Sequence, residues 1–300
     1  MNILILSRSF SLYSTQSLYR AAISRGHYVQ IVDYMLCDMF IKNNKYRVSF
    51  MGEELKNFDA IIPRIGVNVT DYGSLLIRHF EQMDIFTTLK SESLIRTRNK
   101  FGSLQLLANR GIPVPDTAIS WNYENLEGFL KEFNYHPAVI KLLSSTHGEG
   151  VFKSDDIRTS ATLMEAFLKL NHGILIQKFI EESSGTDIRA FVVGNRVVAA
   201  MKRTSQNEDF RSNMHRGAVA LPIELTKEEI DIAKQATKIM GLDIAGVDIM
   251  RSKKGPLVIE VNASPGLEGI ETTTKVNISK HIIKYIEYKV SKNGNKRKYN

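Results

Sequence analysis

Two carboxylates and one amide, Asp248, Glu260 and Asn262, are spaced so that a β-hairpin would aim all three from one face. Ile244 to Met250 and Leu257 to Val261 read as buried strands, and Ser252-Lys253-Lys254-Gly255-Pro256 between them carries turn residues. Side chains alternate across a strand with period two. A hairpin centred on Lys254 therefore sets Asp248 opposite Glu260, with Asn262 on the same face. Val247, Ile249, Ile259 and Val261 then fill the other face. Three hard oxygen donors on one sheet face suit a magnesium ion whose shell is completed by water or phosphate. The same alternation also suits the solvated outer face of an ordinary hairpin.

The rest of the chain reads as alternating α and β. Asn2 to Leu6, a helix from Ser14 to Arg25 stopped by Gly26, and Tyr28 to Val32 form a βαβ unit, with Ala60 to Ile62 as a third strand. In open sheets of this kind ligands sit beyond the carboxyl ends of the strands. Arg8 and Arg64 fall at two such ends, either to meet an anionic substrate or as solvated loop charges. Ser91 to Arg110 reads as one helix, broken by Gly111-Ile112-Pro113. Further strands are expected at 138–143, 151–153 and 174–180, with a helix at 160–170. Gly194-Asn195 signals a hairpin between 187–193 and 197–202. Helices are expected at 226–240, where Thr226 and Glu229 form a capping box, and at 278–288. The division expected is an N-terminal α/β domain at 1–95, a central subdomain at 96–180, a C-terminal subdomain at 181–288 and a basic disordered tail at 289–300.

Lys141 lies inside the apolar run Val139 to Leu143, where a cation is costly without an anion to compensate it. A loop with Gly148 and Gly150 follows at once, and glycines let backbone amides approach phosphates. More cations follow at Lys100, Lys178, Arg189, Arg203 and Arg211, and Asp187 shares a strand face with Arg189. The formal net charge of +8 favours acidic partners. The one cysteine, Cys37, excludes an intrachain disulfide and a cluster of several cysteines, and suits a reducing cytoplasm. The N-terminal apolar run is too short for a signal-peptide core or a bilayer span, so no membrane association is expected. No Ser-His-Asp or Cys-His pattern marks a protein nucleophile, and His147 and His215 read as incidental loop residues.

Taken together, these stretches resemble the RimK family of the ATP-grasp superfamily. The resemblance runs through LSR at Leu6, RGH at Arg25, IPRIG at Ile62, LLANRGI at Leu106, DIRAFVVG at Asp187, DFRSNMHRG at Asp209, AGVDI at Ala245 and EVNASPGLEGIE at Glu260. It implies an ATP-grasp fold, mixed α+β and α/β, behind a small α/β pre-ATP-grasp domain. It implies that Lys100, Lys141 and the Gly148/Gly150 loop meet ATP phosphates, and that Gln177, Lys178 and Phe179 line the adenine through backbone groups and apolar side chains. Asp187 would lie near the adenosine. Arg211, Ser212 and Asn213 would meet phosphate and the reacting acyl group, with Arg203 as a second catalytic cation. Asp248, Glu260 and Asn262 would hold two magnesium or manganese ions, and Arg8, Arg64 and Arg189 would contact substrate. The implied reaction joins L-glutamate to the C-terminal glutamate of a small-subunit ribosomal protein, through an acyl phosphate, in a homotetramer without specific nucleic-acid binding. Departures are Asn99, where the family tends to have aspartate, and STHGEGV at Ser145, where it usually has GTQGIGV. Glu149 thus brings a negative charge beside the phosphates.

Two other readings are open at this level. One is a ligase of the same fold acting on a small molecule or carrier protein, as glutathione synthetase does. The other is a basic ribosome- or RNA-binding module, supported by the basic tail and opposed by the intact ligand triad.

Overall fold

The computed structural model of the chain describes residues 1–143, 150–206, 210 and 218–297. Gly148, Arg211, Ser212 and Asn213 lie outside the described residues, as do Ser145, His147, Glu149 and His215.

The N-terminal sheet is parallel throughout, in the order Tyr28–Val32, Asn2–Leu6, Ala60–Pro63, Phe86–Thr87. Ile3, Leu4, Ile5 and Leu6 are all fully buried because both sheet faces are covered. Helices Tyr13–Ile23 and Thr70–Gln82 supply the crossovers. A small antiparallel sheet, Cys37–Lys42 with Lys45–Phe50 and Glu53–Glu54, turns at Asn43 and Asn44, both at positive φ.

The central sheet is antiparallel, in the order Val151–Ser154, Ala138–Leu142, Ile174–Lys178, Thr117–Ser120. Ile140, Ile174 and Ile176 pack under Leu130 of helix Leu126–Phe133 and Met164 of helix Ile157–Lys169. The opposite face carries Lys141 and Gln177. This core is separate from the others, so the central sheet is held mainly by its own two helices.

The C-terminal sheet is also antiparallel: Val219–Pro222, Arg196–Thr204, Thr186–Val193, Ile244–Ser252, Gly255–Asn262. One face, with Ile188, Val247 and Val258, packs on helix Lys227–Ile239 and shares a continuous core with Leu4, Leu6 and Phe80 of the N-terminal domain. The other face divides along its length. Phe191 and Val193 pack beneath Leu267, Ile278 and Ile282, whereas Asp187 and Arg189 at the near end face the site. Among the described residues no helix is long and apolar enough to cross a membrane.

Four expectations are corrected. The single helix over 91–110 is two, Ser91–Arg98 and Lys100–Asn109, because Asn99 adopts an extended backbone and caps the second by accepting from Gly102 N at 2.8 Å. Asparagine and aspartate cap equally well, so Asn99 keeps a capping function. The tail does not begin at Lys289: helix Ile278–Arg297 continues past it as far as Arg297, with Val290 on the core and Lys289 Nζ 3.5 Å from Asp243 Oδ1. The hairpin turns at Lys253 and Lys254, since Ser252 pairs with Gly255. Finally, Val258, not Ile259, fills the core opposite Ile249, because Ile259 is the extra residue of a bulge.

Candidate active site

The bulge decides where the carboxylates point. It lies between the pairs Ile249–Val258 and Asp248–Glu260, and so sets Glu260 opposite Asp248 despite the two-residue turn. Asp248 is 6% exposed, whereas Glu260 is open to solvent. With the Asn262 amide turned so that its nitrogen faces Glu260, that nitrogen donates to Glu260 Oε1 at 3.0 Å and its oxygen accepts from Arg189 Nη2 at 3.3 Å.

Asp248 is gripped by two guanidiniums. Arg189 lies directly across the strands and donates to it from Nε at 2.5 Å and Nη2 at 2.6 Å. Arg203 Nη2 reaches its Oδ2 at 3.1 Å and donates to Asp187, its own cross-strand partner, from Nε at 2.6 Å and Nη2 at 2.5 Å. Burial alone would raise the Asp248 pKa, but Arg189 and Arg203 outweigh it and hold the carboxyl below its usual value. Asp187 goes the other way: burial and the neighbouring Asp248 raise it against the pull of Arg203. Arg203, expected as a catalytic cation, is 4% exposed and sits behind Asp248, where it supports that carboxylate.

Facing this hairpin are the cations of the central sheet and the helix at 100–109. Lys100 Nζ donates to Leu142 O at 2.9 Å, and Lys141 Nζ to Gln177 Oε1 at 2.7 Å. Burial lowers the pKa of Arg98, Lys100 and Lys141, the last to about 8, while the charge of Glu260 opposes the shift in each. Glu260 is therefore the shared counter-charge of three cations. With Arg64, Arg189 and Arg203 they number six among the described residues, against Asp187, Asp248 and Glu260. A site so unbalanced is built for anions.

Phe179 lies under Lys153 Nζ, 5.0 Å from its centroid, and edge-on to Phe210 at 6.3 Å. Lys178 Nζ lies 4.8 Å from the centroid of the Tyr135 ring. The Lys178 and Phe179 amides donate to Asp116 O and Pro137 O, so neither N–H is free for a base. Lys178 and Phe179 themselves offer apolar surface and carbonyl oxygen. Gly150, at φ +61°, closes the turn into Val151–Ser154.

The three expected substrate arginines separate. Arg8 is a surface side chain 3.5 Å from Asp33. Arg64 bonds Pro265 O at 2.8 Å and so holds the loop after the hairpin; burial first, then Arg98, push its pKa down to about 10. Arg189 is committed to Asp248. Arg98 and Thr117 were not foreseen, and no local pattern marks either. Arg98 donates to Ile65 O at 2.9 Å beside Arg64.

Asp248 and Glu260 carry hard oxygens, the donor type magnesium prefers, and Glu260 keeps most of its lone pairs unused, whereas the Asn262 oxygen accepts from Arg189 and would have to turn to join them. Among the described residues no three His, Cys, Asp or Glu side chains converge, so protein ligation would rest on these two carboxylates and one amide.

Comparison with known proteins agrees with this architecture. Residues 1–94 match the RimK PreATP-grasp domain and residues 97–286 the RimK-like ATP-grasp domain. A probable alpha-L-glutamate ligase of Vibrio atlanticus is 46% identical over 296 residues, covering 99% of this chain and 98% of the relative. One from Syntrophotalea carbinolica is 47% identical over 287 residues, covering 96% and 95%. Among solved structures, the ATP-grasp ligase PsnB complexed with minimal precursor, Mg and ADP superposes with a TM-score of 0.75 at 18% identity, over 97% of this chain and 98% of that one. Both domain matches and both full-length relatives place the chain in the RimK family, with the pre-ATP-grasp and ATP-grasp domains in one polypeptide.

Proposed function

We propose that the chain is an ATP-dependent ligase that joins L-glutamate to the C-terminal glutamate of an acidic protein tail, the sixth small-subunit ribosomal protein being the acceptor. The observation that carries this reading is the Asp248–Glu260 cross-strand pair facing Lys100 and Lys141, a cationic, partly water-excluded site. Relatives at 46–47% identity, each named "Probable alpha-L-glutamate ligase", support the amino acid. Peptide-bound neighbours such as PsnB and the macrocyclase MdnC, with precursor peptides, are consistent with a peptide acceptor on this fold.

Joining a carboxylate to an amine in water requires activation. The acceptor carboxylate attacks the terminal phosphate of ATP, giving an acyl phosphate and ADP. The glutamate amine then attacks the acyl carbon, phosphate departs, and the amine loses its proton. Charge develops on the transferring phosphoryl group and on the acyl oxygen, so fixed cations matter more than a protein nucleophile. Lys100 and Lys141 offset that charge, and Arg211, outside the described residues, would do the same. Arg189 and Arg203 keep Asp248 ionised and oriented. Asp248, Glu260 and Asn262 would hold two magnesium or manganese ions, which neutralise phosphate charge when bound. The chain's surplus of cations aids encounter with acidic substrates.

Mass spectrometry of ribosomal proteins after incubation with the enzyme, ATP, magnesium and glutamate tests this. Glutamate-residue additions at one C-terminus are expected, and none with Asp248→Ala or Glu260→Ala. Additions that persist in either variant would overturn the metal assignment, and a wild-type enzyme that modifies no protein would overturn the acceptor.

A further inference from the structure

Three hydrogen bonds run in series across the cleft-facing side of the central sheet. Thr117 Oγ1 donates to Pro115 O at 2.7 Å, Gln177 Nε2 donates to Thr117 Oγ1 at 2.9 Å, and Lys141 Nζ donates to Gln177 Oε1 at 2.7 Å. Thr117 is the direct cross-strand partner of Gln177, and Lys141 is one step diagonal to it on the next strand, where Val139 opposes Gln177 and Leu175 opposes Lys141.

The polarity of this series is set from its far end. A carbonyl can only accept, so the Thr117 proton goes to Pro115. The hydroxyl is left with lone pairs, which need an N–H. Gln177 must therefore turn its NH2 to Thr117 and its oxygen to Lys141. The flipped amide would set NH2 against an ammonium that has no acceptor. Gln177 is 3% exposed, so bulk water offers no alternative partner.

We propose that Thr117 and Gln177 are positioning residues that hold the Lys141 ammonium, in its charged form, toward the nucleotide phosphates. The proposal rests on the assignment of Lys141 to those phosphates and extends it to Thr117, and to the side chain of Gln177, whose backbone is expected to line the adenine. Lys141 has three donors, and fixing one on Gln177 directs the other two. Among the described residues the charged groups facing Lys141 are Glu260 from the hairpin and Lys100 from the helix at 100–109. Burial and Lys100 favour loss of its proton, whereas Glu260 and the Gln177 oxygen oppose it. Burial pushes the ammonium pKa down to about 8, so an acceptor fixed on it favours the charged form.

The test is the dissociation constant of the magnesium complex of a non-hydrolysable ATP analogue, measured calorimetrically from about pH 7 to about pH 9.5, the range that brackets a lowered lysine. Wild-type affinity is expected to fall as the pH passes through about 8. Thr117→Val should weaken binding about three- to tenfold and move the fall to lower pH, because one neutral hydrogen bond is lost or reversed. Thr117→Ser should restore both, and Gln177→Glu should move the fall to higher pH by giving the ammonium a carboxylate. In turnover assays the KM for ATP should change more than kcat. A Thr117→Val enzyme with wild-type affinity and pH profile overturns the proposal, as does one that loses stability without any shift of the pH limb. Lys141→Met separates the two levels. If it leaves nucleotide affinity unchanged, the phosphate assignment and the positioning role fall together. If it weakens binding while the Thr117 and Gln177 variants do not, only the positioning role falls.

Discussion

Replacing Arg203 with methionine should expose how strongly the site depends on its buried ion network. In the native chain Asp187, Asp248, Arg189 and Arg203 are balanced, two charges of each sign, with Asp187 8% and Asp248 6% exposed. Arg203→Met leaves two buried carboxylates and one guanidinium. Arg189 keeps Asp248 through both of its hydrogen bonds, so the uncompensated group is Asp187. Breaking a buried pair from one side costs about 3–5 kcal/mol, because the remaining charge stays desolvated. That loss applies where Asp187 is ionised.

Without Arg203 the Asp187 pKa, already raised by burial, rises further. A carboxyl whose folded pKa lies above its unfolded one binds its proton more tightly when folded. Its contribution is therefore most favourable below the unfolded value and is lost as the pH rises through the folded one. The variant should accordingly be least stable near pH 8 and recover most of the deficit near pH 5, by about 2 kcal/mol or more. Urea unfolding followed by far-ultraviolet circular dichroism at both pH values measures this. Arg203→Met with Asp187→Asn removes the orphan charge and should regain most of the loss, giving a large coupling in the double-mutant cycle. A single variant that loses under about 1 kcal/mol, a deficit independent of pH, or strictly additive substitutions would refute the assignment of Asp187 as the buried orphan.

Other outcomes are open to direct measurement. Glu149→Ile removes a negative charge from the glycine loop and should lower the KM for ATP modestly; an unchanged or higher value discards the idea. Glu287 takes two hydrogen bonds from Arg25 and one contact from His27 at 2.7 Å, and its pKa is lowered chiefly by the Arg25 bond. Its stabilisation is present above the ordinary carboxylate value and lost as the pH falls through the lower folded one. Glu287→Gln should thus melt slightly below the wild type at neutral pH and match it in acid. An equal difference at both pH values would contradict this.

The sequence made the hairpin legible but not what aligns its two carboxylates. Five turn-forming residues, Ser252 to Pro256, allow the hairpin to centre on Lys254 or between Lys253 and Lys254. The structure takes the second. With unbroken pairing that choice would set Asp248 against Ile259 and bury Glu260 beside Val247, where a carboxylate is not tolerated. The bulge at Ile259 restores the pairing, and it could be inferred only from that conflict. Lys141 was legible because a lysine in an apolar run demands an anion. Thr117 and Arg98 were not, because each acts through a partner distant in sequence, Gln177 across the sheet and Ile65 in another domain. The small hairpin at 37–50 was missed although Asn43-Asn44 is a fair turn signal, since Phe40, Ile41 and Tyr46 leave little polar alternation to read.

Gly246 is the clearest case of a residue whose meaning is tertiary. It stands in the AGVDI stretch in ordinary extended pairing, opposite Phe191 and Asn262, and needs no left-handed backbone. A Cβ there would lie 2.9 Å from Pro265 Cβ and 3.1 Å from Arg189 Cδ. The absent side chain lets Arg189 cross the strand to Asp248 and lets the loop held by Arg64 lie flat on the sheet. Arg189 can shift by a few tenths of an ångström, but the proline ring cannot, so Gly246→Ala should displace the 264–266 loop. Overpacking of this kind costs about 1–3 kcal/mol. The displacement adjoins Asn262 and the Arg189–Asp248 pair, so the magnesium concentration for half-maximal ligation should rise while the KM for ATP at saturating magnesium changes little. A Gly246→Ala enzyme with lower stability but an unaltered magnesium requirement would show that the glycine serves the core alone and that the hairpin face does not depend on the close approach of Arg189.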